Sequence, residues 1–493
     1  MGLIRYVCLS DQHLGYDLGL LTKLDGQGHP IYSEVSPVMQ AFCDGLRELL
    51  VKNRQEHTAQ FEEMGRPTLV LMGDVLDLAF ATMNGAGMVF ETFMRLIAQD
   101  GDRLFDQIIF IPGNHDHHLW ETAREAKYLD YVRKNPDQPT TELVPWHATN
   151  VFVTTDARAR PPDPRILTLP VYSEFLTILA QKFPALKDHK VRIAYPNFGL
   201  FNQDNSNCVL FHHGHFFEGL YYFPSTLKEL LFPHQKWPRD VWDVECENFA
   251  WIDFVWSELG RSGQVGQDME TIYERLIRGL QSTIRGPNQL PSLSRVRSEP
   301  ESVIRETEHH LAESFLSVIE NMSVEWESSH TDHPMSRHLR FLLRWYVNWP
   351  LRNQVIAELG RELSHAPPMT LLFGHTHKPF LDTMRLTAWG KIYAYNTGGW
   401  LIQSVDAEPV YGGALAFINE DLQTAYLRMY VEGRPEHELE AETLDSSAQG
   451  FVDEINGLID QHSIWDGFGE EADDAVQRRE GFLEQRTKAQ ASD

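Results

Sequence analysis

Five short patterns carry the residues able to do chemistry: Asp11-Gln12-His13, Gly73-Asp74 with Asp77, Gly113-Asn114-His115-Asp116, His212-His213-Gly214-His215 and Gly374-His375-Thr376-His377. Carboxylates, imidazoles and one amide are donors that hold divalent cations without thiolates. A two-cation site needs a bridging carboxylate and donors on either side, held rigidly so that the ions stand roughly 3.5 to 4 Å apart. Asp74, a lone carboxylate fixed by the Gly73 turn, is the natural bridge. Asp11 and His13, two apart on an extended segment, can turn towards one cation, and Asn114 can give its carbonyl oxygen to the other. His213, His375 and His377 complete the two shells. Strand alternation turns only one of His212 and His213 inward, so His212 is the alternative ligand at that place. No cysteine takes part; the expected cofactors are two divalent metal ions, Mn first, with Fe, Zn or Co as alternatives.

These patterns need elements to bring them together. Each follows a short apolar run, in "IRYVCL", "PTLVLM", "QIIFIP", "NCVLF" and "MTLLF". Such runs read as buried strands, and Pro112-Gly113 stops the third of them. The polar residues therefore fall at strand carboxyl ends, which is where an open α/β sheet binds ligands. From residue 1 to 215 strands alternate with helical patterns such as "VMQAFCDGLRELLVKN" and "MVFETFMRLIAQ", the rhythm of an α/β fold. From 216 to 366 helical patterns take over, in "ETIYERLIRGLQSTI", "VIRETEHHLAESFLSVIENM" and "MSRHLRFLLRWYVNW", so this reads as a helical insertion. Strands return from 367 to 430 as the second part of the core. The acid-rich stretch 431–493 reads as a peripheral C-terminal tail with a short helix near "FVDEINGLID", and the loop 286–302 as locally disordered.

Bulk properties exclude some classes. The chain has 493 residues, 42% hydrophobic and 11% aromatic, enough for a large core. A formal charge of -27 argues against a general nucleic-acid-coating surface. It leaves an anionic substrate open, since screening limits distant charge beyond roughly 8 Å and bound metal ions invert the local field. Cys8, Cys43, Cys208 and Cys246 lie far apart and read as reduced thiols. There is no leader-like segment, no run that could span a bilayer, and Tyr6 stands where a myristoylation signal needs Ser or Thr. The expected location is cytoplasmic.

The five blocks, in this order, resemble the calcineurin-like metallophosphoesterases, whose pattern runs D-x-H, G-D-x-x-D, G-N-H-D/E, H-G and G-H-x-H. The resemblance covers about 1–215 and 367–430. It implies a four-layer α/β/β/α sandwich, with Asp11, His13, Asp74 and His377 on one metal and Asp74, Asn114, His213 and His375 on the other. It implies hydrolysis of a phosphate ester by a water bridging the two metals. His115, whose side chain diverges from that of Asn114 on an extended segment, is left to protonate the leaving alkoxide; the resemblance gives it that role, oriented by Asp77. Asn396, in "YNTGGW", resembles the family's late Asn-x-Gly segment, although turn geometry alone also explains it.

Substrate choice should reside in the insertion, which holds seven of the twelve tryptophans. They read as the core of a helical domain or as an apolar lid for an acyl chain or aromatic group, as in the UDP-diacylglucosamine pyrophosphatases of this superfamily. Arg337, Arg340 and Arg344 share one helical face, and Phe341, Trp345 and Trp349 another. The arginines either contact a second phosphate or pair with acidic surface groups, and Arg275, Arg278, Arg285, Arg295 and Arg297 carry the same alternatives. His215 is the further candidate for substrate contact, because Gly214 allows it to face the site beside His213; His117, His118 and His212 read as structural. The leading reading is a binuclear-metal phosphoesterase acting on a small or lipid-linked phosphorylated molecule, with peripheral membrane contact in the lipid-linked case. The alternatives are a nuclease or cyclic-nucleotide phosphodiesterase, disfavoured by the acidic balance, and a non-catalytic scaffold.

Overall fold

The apolar run Ile4–Leu9 forms β1, a central strand of an eight-stranded sheet. The computed structural model describes residues 2–138, 146–152, 163, 165–202, 207–232, 234–258, 335, 337–359, 368–386, 389–403, 405 and 407–490. On one side of β1 run β4 (Thr68–Leu71), β5 (Gln107–Phe110) and β9 (Val191–Ile193), all parallel, ending on the short antiparallel β8 (Val171–Tyr172). On the other side lie antiparallel β15 (Gly412–Asn419), β16 (Thr424–Val431) and β17 (Ala441–Glu442). Leu9, Leu71 and Phe110 are in register, so three of the polar patterns leave the sheet at one edge. Helices Pro37–Glu56 and Met83–Ile97 make the crossovers that parallel strands require. Their N-caps, Ser36 and Thr82, each accept a backbone amide. Two small pairs complete the strands: β2 (Thr22–Leu24) with β3 (Pro30–Val35), and β6 (Ala148–Thr149) with β7 (Ile166–Leu167).

A second, five-stranded sheet runs β10 (Asn197–Phe201), β11 (Cys208–His212), β12 (Met369–Phe373), β14 (Gly390–Asn396), β13 (Phe380–Leu386). Its two faces separate cleanly. Val209, Phe211, Leu372, Tyr393 and Tyr395 join the core of the first sheet. Their alternating neighbours Cys208, Leu210, Leu371, Phe373, Ile392 and Ala394 pack against Tyr221, Tyr222, Leu343, Tyr346 and Val355 of the helical region. The chain between His212 and Met369 joins two adjacent parallel strands paired from Cys208–Met369 to Phe211–Leu372. Closure cost grows only slowly with loop length, so so long an excursion between neighbouring strands leaves the sheet intact.

Within the insertion, Trp237, Trp251, Trp256 and Trp345 belong to this second core, whereas Trp349 and Phe341 are exposed. Trp326, the expected helices 270–284 and 303–322, the loop 286–302 and the five arginines from Arg275 to Arg297 lie outside the described residues. The helix expected over 335–349 begins at Arg337 but changes to a π-helical turn, Val347–Leu351, before Arg352–Leu359 continues it. Pro350 lacks an amide hydrogen and crowds the preceding turn, which accounts for the local widening.

The reading of 431–493 as a peripheral tail needs correction. Helices Gln449–His462 and Phe468–Gln490 stand there, and Phe451, Val452, Ile455, Leu458, Ile459, Phe468, Ala472 and Val476 enter the main core. A narrow stripe at helical spacing suffices to bury a helix whose other faces are acidic, so acid-rich composition concealed it. Arg479, buried, donates to the carbonyls of Gly19 and Thr22 and secures the last helix. All four cysteines are free thiols, three of them buried, and no described helix is long and apolar enough to cross a membrane. If the C-terminal helices belong to the core, Ile455→Ala should lower the denaturant-derived stability by about 2–5 kcal/mol, whereas Glu470→Ala should stay within about 0.5 kcal/mol. Equal small effects would return the segment to the periphery.

Candidate metal centre

Beyond β1 the chain does not stay extended. Among the described residues, eight other than glycine have positive φ, and five of them are Asp11, His13, Asp74, His375 and His377. Left-handed backbone is costly for such residues and persists where the surroundings enforce it, so the strain collects where the donors converge. The enforcing contacts are backbone hydrogen bonds: Asp11 donates to Gly73 O and His13 to Asp74 O, both at 2.9 Å, and Gly374 donates to His213 O at 2.7 Å. Gly113 and Gly374 permit the close approach. A Cβ on Gly113 would lie 2.2 Å from Asp74 Oδ1, and one on Gly374 1.9 Å from Asp11 Oδ2.

Donor atoms of Asp11, His13, Asp74 and His377 fall into one group, and those of Asp74, His213 and His375 into a second that shares Asp74. Asn114 Oδ1 lies 3.0 Å from His213 Nε2, which places it with the second group. His13 Nε2 and His377 Nε2 are 3.1 Å apart, His213 Nε2 and Asp74 Oδ2 3.2 Å, and His377 Nε2 and Asp11 Oδ1 3.4 Å. Donors about 2.1 Å from one cation, at tetrahedral to octahedral angles, stand about 3.0–3.4 Å from each other. His13 Nε2 to Asp74 Oδ2, at 3.9 Å, is wider. The nitrogens are also presented with suitable tautomers: His13 Nδ1 donates to Asp77 Oδ2 at 2.8 Å and His213 Nδ1 to Met72 O at 2.9 Å, leaving each Nε2 lone pair for the centre. The donor set fits two divalent cations of borderline or hard character.

Electrostatics agree with collected opposite charge. Burial disfavours charge on Asp74, but His213, His115 and His13 outweigh it and hold the carboxyl well below its usual range; Asp11 is lowered by His377 and His213 against the same burial. His213 is resisted by burial yet pushed up to about 9 by Asp74. Asp77 serves two rings, His13 on Oδ2 and His115 on Oδ1 at 3.2 Å. For His115 too, burial is overcome by Asp77 and Asp74, and its imidazole rises to about 9. Its backbone amide donates to Asp74 Oδ1 at 2.8 Å, fixing it beside the shared carboxylate.

Several residues without an assigned part in the sequence, together with Asn396, which the resemblance singled out, prove to hold the site. Asp116 accepts from the amides of Gly113, Val75 and Leu76, joining the loops after β4 and β5. Burial and the charge of Asp74 nevertheless push its carboxyl up to about 7. Asn396 donates to Gly374 O and Thr376 Oγ1, and the Gln403 amide lies against His377 Nδ1. Glu218, on the chain leaving β11, brings Oε2 to 3.3 Å from His375 Nε2. From the insertion, Ser257 donates to the backbone carbonyl of Asn114 at 2.9 Å. Glu245, on helix Val241–Ile252, pairs with His117 at 2.7 Å and accepts from Tyr195 at 2.9 Å, and Tyr195 reaches His215 at 3.2 Å. No local pattern marks Glu218, Glu245 or Ser257, because only the insertion's path brings them here.

The remaining candidates are placed as follows. His212 faces the second core against Phe217 and Tyr346, on the opposite side of β11 from His213. His215 is buried in the Tyr195 and Glu245 network, with its ring centroid 5.6 Å from that of His213. Arg337, Arg340 and Arg344 are exposed; Arg340 pairs with Asp382 at 2.8 Å, and among the described residues no hydrogen bond or ion pair joins the three to the metal-ligand group.

No family model and no curated protein matches the chain. A solved structure of a dimetal phosphatase from Danio rerio aligns over 90% of this chain and 100% of its own, with 10% identity and a TM-score of 0.29. The functional reading rests on the geometry above.

The buried His117 gives a pH test of how the insertion grips the site. Burial opposes its charge, but Glu245 and Asp253 raise it from 6.5 to about 10, with Glu121 adding to the field. A raised histidine contributes stability that is fully present below its unfolded value and lost as pH rises through the folded one. The stability difference between wild type and His117→Gln, measured by denaturant unfolding of metal-free protein, should therefore shrink from pH 6.5 to 10. A constant difference would remove the ion pair as its source.

Proposed function

We propose that the chain is a hydrolase of phosphate esters working with two divalent cations, and the observation that carries this is the pair of donor groups sharing Asp74. In this reading Asp11, His13, Asp74 and His377 hold one ion, and Asp74, Asn114, His213 and His375 hold the other, Mn being the first candidate. Such ions supply Lewis-acid charge for phosphoryl oxygens and a water acidified enough to attack phosphorus. The rest is the work of the chain. His115, held by Asp77 and only slightly exposed, carries a proton that it can give to the leaving alkoxide. Asp77 fixes the ring and balances its charge, and the Asp74 contact to the His115 amide keeps acid and bridge at constant separation.

The proposed architecture is a four-layer α/β/β/α sandwich. Residues 1–215 and 367–430 supply the catalytic core, and 216–366 supply the helical insertion that sets substrate choice. The leaving-group side has an aromatic wall: Phe80, 39% exposed, stacks on Tyr16 and has its ring centroid 5.7 Å from that of His115. That wall supports a small or lipid-linked phosphorylated substrate with an apolar portion. The free thiols favour the reducing cytoplasm.

Metal-stripped protein resupplied with Mn should hydrolyse para-nitrophenyl phosphate or bis-para-nitrophenyl phosphate, and the preferred ester chooses between phosphatase and diesterase. Asp74→Asn should lose both bound Mn and turnover; metal-independent turnover, or an active Asp74→Asn protein, would sink the reading. His115→Gln should retain its metal while kcat falls by about 10²- to 10⁴-fold. Wild-type kcat in that variant would remove His115 as the acid.

A further inference from the structure

We propose that Phe80 is a specificity-determining residue whose exposed ring receives the leaving group, and that the preferred leaving group is an aryl alcohol and not an alkyl one. This rests on the two-cation reading and on His115 as its acid. Single exposed phenylalanines are ordinary on a protein surface, but this one is fixed by the same carboxylate that fixes the acid. The Phe80 amide donates to Asp77 Oδ1 at 2.8 Å, and the His115 ring meets that oxygen through Nδ1 at 3.2 Å. Leu78 also donates to the His115 carbonyl at 3.2 Å, so the turn carrying Phe80 and the segment carrying His115 are joined twice. The two ring centroids stand 5.7 Å apart with their planes at 54°.

A second ring braces the first. Tyr16 is buried and stacks on Phe80 at 4.9 Å and 28°, while its own amide donates to the His13 carbonyl at 3.1 Å. Phe80 is thus supported from one side yet 39% exposed, a fixed surface that loses little side-chain freedom when a ligand meets it. Asp77 occupies Nδ1 of His115, which leaves Nε2 as the nitrogen for substrate. In the reaction water forms the new bond to phosphorus and the ester P–O bond breaks. Nε2–H protonates the departing oxygen, and the proton that water loses restores His115. An ester oxygen within reach of Nε2 carries its substituent past the neighbouring Phe80 ring. A planar aromatic substituent gains offset-stacked or edge-to-face contact there that an alkyl chain does not.

The test uses the full chain loaded with Mn. It compares hydrolysis of phenyl phosphate and butyl phosphate, and calorimetric binding of the non-hydrolysable benzylphosphonate and butylphosphonate, with the monomethyl esters of all four where wild type prefers diesters. Each variant is read against wild type on the same compound, so the intrinsic difference between leaving groups cancels. Phe80→Ala should lower kcat/KM for the phenyl ester at least about 5-fold more than for the butyl ester, and weaken benzylphosphonate by a similar factor relative to butylphosphonate. Phe80→Tyr should restore the aryl preference, whereas Phe80→Leu, apolar but without an aromatic face, should not. Thermal unfolding of each metal-free variant shows that it is folded; should Phe80→Ala not fold, Phe80→Leu against Phe80→Tyr carries the comparison. Equal losses on aryl and alkyl compounds, or an aryl preference kept by Phe80→Leu, overturn the role of Phe80 while leaving the two-cation reading intact. So does a wild type that binds Mn yet takes neither the phenyl ester nor benzylphosphonate. A wild type that binds no metal, or an Asp74→Asn variant as active as wild type, overturns the underlying reading instead.

Discussion

A buried carboxylate, Asp74, sits where the loops after β1, β4, β5 and β11 meet, and the rest of the centre answers the cost of keeping it charged there. Removing a lone carboxylate from water is unfavourable by many kcal/mol unless opposite charge and hydrogen-bond donors replace the lost hydration. Here the replacements are the His115 amide on Oδ1 and the His213 ring on Oδ2. Left-handed backbone at five donor residues follows from the same demand, since the chain must double back at each strand end to aim short side chains at one point. Rigid parallel strands in register make that strain affordable, because Leu9, Leu71 and Phe110 deliver the three loops at the same height.

The second sheet and the insertion contribute through the same centre. Adjacent β11 and β12 bring His213 and His375 together, and the hydrogen bond from the Gly374 amide to the His213 carbonyl keeps their loops paired beyond the strands. The excursion that leaves β11 returns to the candidate ligands at two points, Glu218 at His375 and Ser257 at the Asn114 carbonyl, and beside them Glu245 pairs with His117. The described part of the insertion is thus built into the walls of the site. A change in its helices would move the Gly113–Asp116 turn, and so both a candidate ligand and the candidate acid.

Much of this was legible in the sequence because two strong local signals coincide. β-branched apolar runs mark strands, and Asp, Asn and His after glycine mark where they end; β1 begins and ends where "IRYVCL" places it, β12 where "MTLLF" does, and β5 begins with "QIIFIP" but ends at Phe110, before its last two residues. Local patterns could not convey what depends on chain path. Glu218 and Glu245 look like ordinary surface acids in a chain of charge -27, and only the fold of the insertion buries one and aims the other. The left-handed conformation of Asp11 and His13 was hidden for a related reason: an apolar strand predicts extension, and the hydrogen bonds from the β4 loop that end it come from sixty residues away, at Gly73 and Asp74. The C-terminal helices were missed because composition averages over faces, whereas burial needs only one stripe of Phe451, Ile455, Leu458 and Ile459.

The acidic balance of the chain and the proposed phosphate-ester substrate are compatible for a reason visible at short range. Screening confines the effect of most surface carboxylates to within roughly 8 Å, and inside that distance the field at Asp74 is set by His13, His115, His213 and whatever cations the donors hold. Without cations the centre balances carboxylates against imidazolium charge, which is why His115 and His213 are raised to about 9. Divalent ions would take over that balancing and release His213 from its proton, while His115, tied to Asp77 outside the two donor groups, would keep a carboxylate partner of its own. The separation of Asp74, shared between the donor groups, from Asp77, reserved for the two orienting histidine contacts, is therefore what would allow one pocket to hold the candidate metal ligands and the proposed proton donor side by side.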